Sequence, residues 1–520
     1  MKISARVKRS SYFDSITLMK IARSLTAMPG VEDAAAIMAT EPNLQLLDEA
    51  GLAPFEGVEG KVGPSDVLIV VRASDEASAE AALLAAEEQL RQRPTSVGDG
   101  DASMQTGQRQ PRSLEQAIQL HRDARLAVIS VPGMYAALEA QRALRSGLHV
   151  FLFSDNVKVE REIALKQLAR ELDLLVMGPD CGTAMINGVG LGFVNVVPRG
   201  PIGIVGASGT GTQQVMSLIA QQGSGVSQVI GCGGRDLSEA VGAITTLQGL
   251  RLLQADEQTQ VIVLISKPPA PSVAEQVLEV AAGGQKPVIV IFVGADDQAL
   301  QSRYGDHLII AHTLAEAAQQ AVSLSKTGKP AAIEQPHTMT TSSTETQHRL
   351  VALFSGGTLC DEAMHIWAEQ LGPIYSNIPL NPEWRLAQGQ RVRGHVAIDF
   401  GADEYTHGRP HPMIDPSLRL KRLQEEACNP QIGVILLDMV LGYCSHPDPA
   451  SVYAPTIVEA LQTAAAERRP LHFVISLCGT EGDPQRLSAQ AARFREAGAE
   501  VFTSNADAAW RCVELLSLTR

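Results

Sequence analysis

The chain has 520 residues, and its 43 Lys plus Arg against 57 Asp plus Glu give a formal net charge of −14. A chain of that length is too long for a single hydrophobic core. Its length predicts three or four domains. An acidic chain without a basic run is a poor partner for nucleic acid or for an anionic membrane surface. The longest apolar stretch, residues 288–293, is far too short to cross a bilayer.

The cysteines are seven in number and scattered, and no two have the C-x-x-C spacing of a zinc ribbon. They predict neither a disulfide framework nor a metal site, and they fit a reducing compartment. The chain opens on a polar segment rather than on a secretory signal. Together these features predict a cytoplasmic α/β protein.

The first part of the chain, residues 1–92, reads as a small α/β module of ferredoxin-like type. Its helices carry apolar residues at helical spacing between short apolar strands. The predicted strands are 2–7, 31–38 and 66–72, and the predicted helices are 14–28 and a segment ending at residue 90. Residues 91–113 are polar and bear Gly and Pro, so they are predicted to be a linker.

Residues 114–199 predict a Rossmann-like domain. The predicted strands are 126–130, 149–153 and 174–177, and the predicted helices are 135–145 and 159–171. Strands that alternate with helices at this spacing form a parallel sheet with both faces covered. Because ligands of open α/β sheets bind at the carboxyl ends of the strands, we expect any site to lie in the loops that follow them.

The rest of the chain repeats one order of elements twice. Residues 202–325 and 350–518 each contain five apolar strands, every one followed by a helix, with a glycine turn after the first strand. They predict two flavodoxin-like, doubly wound parallel-sheet domains at 200–326 and 348–520, joined by a polar linker at 326–347. A shared α/β superfold without common descent would give the same order, and a paired architecture follows in either case.

The glycine turns of the two repeats are the main candidates for a binding site. Glycines let the backbone turn its N–H groups inward, and the helix that follows leaves its first N–H groups unpaired with a partial positive charge. A phosphate or carboxylate is the expected ligand. The candidate residues are Ser208, Gly209, Thr210, Gly211, Thr212, Gly356, Gly357 and Thr358. The alternative is a pair of tight strand-to-helix connections without a ligand.

Known nucleotide motifs do not fit these turns. A Walker A loop needs a Lys after its glycines, and a dinucleotide fingerprint needs G-x-G-x-x-G spacing; both are missing. Further candidates are Arg235, as an anion contact or a surface residue, and Arg409 with His411 in the polar run 399–415. That run could equally be a proline-stiffened loop with solvated charges. Gly408 and Pro410 interrupt the His407–His411 spacing, so a zinc helix is excluded there.

Several motifs resemble a known family. Residues 126–300 are similar to the α subunit of succinyl-CoA synthetase, with its CoA-binding-type Rossmann domain, and residues 350–515 to the CoA-ligase domain of its β subunit. FdrA-type proteins, which fuse these parts, are the best match. The motifs that carry the resemblance are SYFDS at 11–15, GPDCGTA at 178–184, GASGTG at 206–211, GGRDLSE at 233–239, SKPPAP at 266–271, GGTLCDEA at 356–363 and GRPHPMIDP at 408–416.

The sequence departs from succinyl-CoA synthetase in ways that change the implied reaction. The phosphohistidine loop that the family carries after the fourth strand is replaced by FVGADD at 292–297, and neither the ATP-grasp domain nor the α subunit's glycine-rich CoA loop is recognised. The resemblance to FdrA-type proteins implies an oxamate carbamoyltransferase-type subunit. Carbamoyl phosphate would lie between the two helix N-termini, with Arg409 or His411 neutralising its phosphate or the carboxylate of the second substrate.

Other implications of the resemblance stay open. The carbamoyl reaction implies no cofactor. It does imply companion subunits and a homo-oligomer. The first alternative is an acyl-CoA synthetase or acyl-CoA-binding enzyme that uses coenzyme A and an acyl phosphate. The second is a non-catalytic subunit that binds a phosphorylated metabolite through the same turns.

Overall fold

The computed structural model divides the chain into two compact units, residues 1–109 with 406–410 and residues 110–405 with 411–520. The structure describes residues 2–9, 11, 13, 15–26, 28–40, 43–44, 47–48, 50–54, 58, 62–91, 111, 113–332, 348–387, 394–406 and 409–518. The greater part of both predicted linkers lies outside the described residues.

The first unit contains a three-stranded antiparallel sheet in the order β1-β3-β2. Its elements are β1 (Lys2–Lys8), α1 (Ser15–Thr26), β2 (Val31–Met38), β3 (Val67–Ala73) and α2 (Glu76–Arg91). The central strand β3 is apolar almost throughout because both of its faces are covered. Ile69 and Val71 pack with the helices, whereas Leu68 and Val70 pack on the opposite side of the sheet.

The second unit begins with a three-stranded parallel sheet in the order β4-β5-β6. Its elements are α3 (Leu114–Leu120), β4 (Leu126–Ile129), α4 (Gly133–Arg145), β5 (His149–Leu152), α5 (Val159–Glu171) and β6 (Val176–Met177). The strands and helices predicted for the Rossmann-like part are therefore present in the predicted order.

A seven-stranded sheet follows, in the order β13-β12-β11-β9-β10-β7-β8. Its strands are β7 (Thr183–Ile186), β8 (Val189–Gly192), β9 (Arg199–Gly206), β10 (Val226–Gly231), β11 (Val261–Ser266), β12 (Val288–Phe292) and β13 (Ile309–Ile310). Its helices are α6 (Gly209–Gln221), α7 (Ile244–Ala255), α8 (Pro271–Ala282), α9 (Asp297–Tyr304) and α10 (Leu314–Thr327). The five predicted strands are parallel, and the antiparallel hairpin β7–β8 adds two that were not predicted.

A six-stranded parallel sheet completes the second unit, in the order β15-β16-β14-β17-β18-β19. Its strands are β14 (Arg349–Phe354), β15 (Ile374–Ser376), β16 (His395–Asp399), β17 (Ile432–Val440), β18 (His472–Cys478) and β19 (Glu500–Phe502). Its helices are α11 (Gly357–Leu371), α12 (Asp403–Thr406), α13 (Ser417–Ala427), α14 (Pro449–Ala466), α15 (Leu487–Glu496) and α16 (Asn505–Leu518). The short edge strand β15 was not predicted.

One hydrophobic core joins these two larger sheets. It runs from β9 through α6, α10, α11 and α16 to β14. The fully buried Trp367 of α11 lies within it and donates a hydrogen bond from its indole N–H to the carbonyl of Ala509, at 2.9 Å. Packing α6 against α11 brings the two helices that begin at the glycine turns together. The predicted fold class, parallel α/β with paired doubly wound sheets, is confirmed.

No helix in the part of the chain that the structure describes is long and apolar enough to cross a membrane.

Candidate functional site

The two glycine turns meet in the structure. Ser208 is the N-cap of α6, and its Oγ accepts a hydrogen bond from the backbone N–H of Gly211 at 3.0 Å. The same hydroxyl donates to Thr358 Oγ1, in the first turn of α11, at 2.7 Å. Two helix N-termini that are far apart in the sequence therefore lie in direct contact.

Glycine is required on both sides of this contact. A Cβ placed on Gly211 would lie 2.9 Å from Thr358 Cγ2, and a Cβ on Gly356 would lie 2.6 Å from Thr210 Oγ1. Both distances are shorter than real Cβ contacts, so a side chain at either position must displace the threonine that faces it. Each turn presents a glycine to a threonine of the other turn.

The paired turns leave backbone donors for a ligand. The first N–H groups of an α-helix have no carbonyl partner within the helix. The Ser208 hydroxyl takes only the N–H of Gly211, and the N-cap of α11 is Gly356, which has no side chain to cap with. The N–H groups of Gly209 and Gly357 are thus left at the positive ends of two adjacent helix dipoles, an arrangement that favours an anion.

The structure brings most of the predicted residues of the two turns together, but it does not offer Thr212 to a ligand. Thr212 is 1% exposed. Its Oγ1 lies 2.2 Å from the point where a Cβ on Gly206 would stand, and it has no hydrogen-bond partner among the described residues. The hydroxyl therefore packs against the end of β9 instead of reaching the turns.

Arg235 is engaged elsewhere. Its Nε donates to Glu162 Oε2 at 3.0 Å, and its Nη2 donates to the carbonyl of Val157 at 2.7 Å. Glu162 is fully buried, so the guanidinium neutralises a buried carboxylate of α5. Its charge is paired within the protein, so contact between Arg235 and a ligand anion stays a prediction.

A buried carboxylate that the sequence did not predict organises the second turn. Asp438, near the end of β17, accepts hydrogen bonds from the N–H of Ser355 at 2.8 Å and of Gly356 at 2.9 Å. It also accepts from the Ser355 hydroxyl and forms an ion pair with Arg419 at 3.1 Å. The first donors of this turn thus bind the protein's own carboxylate, and the donors available to a ligand begin at Gly357.

A second group of unpredicted residues lies at Gly357. A Cβ on Gly357 would be 2.8 Å from Asp399 Oδ2 and 3.8 Å from Lys267 Nζ. Lys267 follows β11 and pairs with Asp361 of α11 at 2.7 Å. Burial raises the pKa of Asp399 to about 7. In the sequence, only their position could have indicated these residues, because Asp399 and Lys267 are polar residues at the ends of apolar strands.

His411 lies near this group, and its burial favours the neutral ring. Its ring packs on Phe193 with 5.4 Å between centroids, and its Nδ1 accepts the N–H of Met413 at 3.2 Å. Burial, and then the nearby Arg419, lowers its pKa to about 4. Burial therefore opposes the predicted charge neutralisation by His411, which stays a prediction. Its Nε2, which carries the proton, lies 2.9 Å from the point where a Cβ on Gly401 would stand.

We expect His411 to make the protein less stable in acid. Between about pH 6.5 and pH 4 the unfolded chain binds a proton at this ring and the folded chain does not, so stability falls as the pH is lowered. The shift corresponds to a loss of about 3 kcal/mol below pH 4. Urea denaturation of wild type and His411→Gln at about pH 7 and pH 4 would measure it. An equal loss in both proteins would contradict the assignment.

Arg409 stays a prediction. Its backbone N–H donates to the carbonyl of Thr406 at 3.1 Å, and the residue is half-buried. The short segment 406–410 groups with residues 1–109, whereas His411 belongs to the second unit.

Three family matches divide the chain. Residues 353–512 match the CoA-ligase family, residues 199–294 the CoA binding domain, and residues 1–106 the AllF heavy metal-associated domain. The CoA binding match begins where the predicted 114–199 domain of that type ends, and it contains β9 and the first glycine turn. Both glycine turns therefore lie in or at the edge of CoA-associated domains.

A curated relative covers almost the whole chain. Uncharacterized protein YahF of Escherichia coli K12 is 43% identical over 517 residues, which are 97% of each chain. This chain belongs to the FdrA-like family of YahF. Together with the CoA-ligase and CoA binding matches, this places the family among succinyl-CoA synthetase-like proteins.

More distant relatives of this FdrA-like protein are succinate–CoA ligase α subunits. Subunit alpha 2 of Archaeoglobus fulgidus is 29% identical over 28% of this chain and 50% of its own length. The mitochondrial subunit alpha-2 of Trichomonas vaginalis is 29% identical over 33% of this chain and 57% of its own. The chain thus spans about half the length of these relatives. Acetyl-coenzyme A synthetase 1 of Ca. Korarchaeum cryptofilum aligns with 76% of this chain and 83% of its own, at 17% identity and a TM-score of 0.32.

The heavy metal-associated match of the FdrA-like chain falls on residues that contain neither Cys nor His. Soft metals are held by thiolates, thioethers and imidazoles, and of the residues that supply these groups the segment 1–106 contains only Met. Among the described residues, no group of His, Cys, Asp and Glu is arranged to hold a metal ion.

Proposed function

We propose that this FdrA-like protein is an acyl-transferring enzyme of the acid–thiol ligase type, with a phosphate group held between the N-termini of α6 and α11. The observation that carries the proposal is the hydrogen bond from Ser208 to Thr358, which joins two helix ends with unpaired N–H groups. The CoA-ligase and CoA binding matches favour coenzyme A as the thiol.

The proposed acyl transfer requires that the leaving phosphate be stabilised. In an acyl phosphate the acyl carbon carries an O–PO₃ group; attack by the CoA thiol forms the C–S bond, breaks the C–O bond and releases phosphate. Preorganised donors at two helix ends stabilise the charge that develops on that phosphate. Backbone N–H groups supply the positive potential, so a net charge of −14 does not prevent anion binding here.

Carbamoyl transfer has less support than this acyl-CoA reaction. The family matches are CoA-ligase and CoA binding domains, and the more distant relatives are succinate–CoA ligase subunits. Carbamoyl phosphate is chemically an acyl phosphate, so it is retained as a substrate to test. Companion subunits and a homo-oligomeric state remain part of the proposal.

Gly356→Ala is expected to weaken binding of inorganic phosphate at least about tenfold, because the added methyl group displaces Thr210 and separates the helix ends. Calorimetric titration with phosphate, and separately with CoA, would measure it. Gly234→Ala is the matched control: it adds the same methyl group where the nearest atom is 3.9 Å away. Equal phosphate affinity in wild type and Gly356→Ala would contradict the site.

Turnover tests the reaction itself. Wild-type protein, alone and together with the products of its neighbouring genes, is incubated with CoA and either acetyl phosphate or carbamoyl phosphate, and thioester formation and phosphate release are followed together. Thioester and phosphate in equal amounts support acyl transfer to CoA. Phosphate binding without thioester under all conditions would support the non-catalytic alternative and overturn the enzyme proposal.

A further inference from the structure

The Asp399 carboxylate is held rigidly at the end of β16. The side-chain amide of Asn377 forms two hydrogen bonds with the backbone of Asp399. It accepts the N–H of Asp399 at 2.9 Å and donates to the carbonyl of Asp399 at 2.9 Å. Oδ1 of Asp399 accepts the N–H of Gly401 at 2.9 Å. These contacts fix one carboxylate oxygen and aim the other, Oδ2, at the first residue of α11, where it has no hydrogen-bond partner among the described residues.

A carboxylate is an unexpected neighbour for an anion site. Asp399 Oδ2 lies 2.8 Å from the Cβ position of Gly357, at the helix end that would hold phosphate. When ionised it repels such a ligand and opposes binding. The nearest cation, Lys267, is paired with Asp361 at 2.7 Å and forms no ion pair with Asp399. Because the charged Asp399 carboxylate would oppose anion binding, its presence is better explained by a role in the reaction than by a role in binding.

We propose that Asp399 is the proton acceptor for the attacking thiol, an inference that rests on the proposed function above. Oδ2 would take the S–H proton of CoA as sulfur forms its bond to the acyl carbon. The C–O bond to phosphate then breaks, and phosphate leaves with the electron pair. Asp399 returns the proton to the departing phosphate or to water, so the carboxylate is regenerated.

The surroundings of Asp399 set the pH dependence. Burial raises its pKa to about 7, and the nearby carboxylates Asp438 and Asp361 add to the rise, while the Gly401 N–H and Lys267 oppose it. His411, across Gly401, adds no positive charge at neutral pH. The base is the ionised form, so turnover should rise as the pH increases through about 7 and level off above it.

Asp399→Asn keeps the size of the side chain and the acceptor for Gly401. We expect kcat for thioester formation from acetyl phosphate and CoA to fall about a hundredfold, with the rising limb of the pH profile lost and KM for acetyl phosphate unchanged or lower. Glu459→Gln, an exposed site on α14, is the control. A kcat within threefold of wild type with the limb intact would overturn the proposal.

A binding measurement separates this proposal from the proposed function. Sulfate keeps its charge across the neutral range, so we expect it to bind wild type about tenfold more weakly at pH 8 than at pH 6, and Asp399→Asn equally at both. Sulfate binding that is indifferent to pH in wild type overturns the Asp399 proposal alone. Failure of both sulfate and phosphate to bind at any pH overturns the anion site and the proposed function with it.

Discussion

Replacing Asp438 with Ala is expected to lower the free energy of unfolding of the part formed by residues 348–520 by about 3–5 kcal/mol. Asp438 is fully buried, and it pairs with Arg419, which is 2% exposed. Removing the carboxylate leaves a buried guanidinium without its counter-ion. The same change strips the N–H groups of Ser355 and Gly356 of their acceptor, so the second turn should also lose its shape.

Tryptophan fluorescence during urea denaturation reports on this part of the chain, because the only tryptophans in the sequence are Trp367, Trp384 and Trp510. The matched comparison is the double variant Asp438→Ala/Arg419→Met, which removes both charges and should recover part of the loss. Were the single variant within about 1 kcal/mol of wild type, Asp438 would not be the organising acceptor of the turn.

The strands of the two larger sheets were predictable because parallel strands are covered on both faces and read as continuous apolar runs. The segment Ile432–Val440 shows this most clearly, with all nine residues buried, including the polar residue Asp438 near its end. The hairpin β7–β8 was missed although Asn187-Gly188 at its tip is a strong two-residue turn signal. The edge strand Ile374–Ser376 has only three residues, which are too few to show the alternation of apolar and polar residues that predicts a strand.

The candidate site was predictable only in its local parts. Glycine turns before helices can be read from the sequence, but the contact between Ser208 and Thr358 spans 150 positions and follows from packing α6 on α11. Asp399 and Asp438 meet the second turn because β16 and β17 lie on either side of β14. Strand order decides which polar strand ends converge, and a single sequence does not give that order.

The largest remaining effect is expected at Lys166, whose replacement by Met should cost about 3–5 kcal/mol of stability. Lys166 of α5 is fully buried, and its three protons are all used. They are donated to Glu162 at 2.9 Å, to the carbonyl of Cys232 at 3.0 Å and to Asp236 at 2.7 Å. Glu162 keeps Arg235 as a partner in the variant, whereas Asp236 is left as a buried carboxylate without a cation.

The effect of losing Lys166 should spread to α7, because Asp236 also accepts the N–H groups of Thr245 and Thr246 at the start of that helix. Circular dichroism during urea denaturation measures the loss, and hydrogen–deuterium exchange locates it at α5 and the first turn of α7. Arg170→Met removes the same charge from the exposed face of the same helix and should change stability by less than about 0.5 kcal/mol. Equal destabilisation by the two variants would show that the buried network, despite its geometry, does not hold the Rossmann-like sheet to the seven-stranded one.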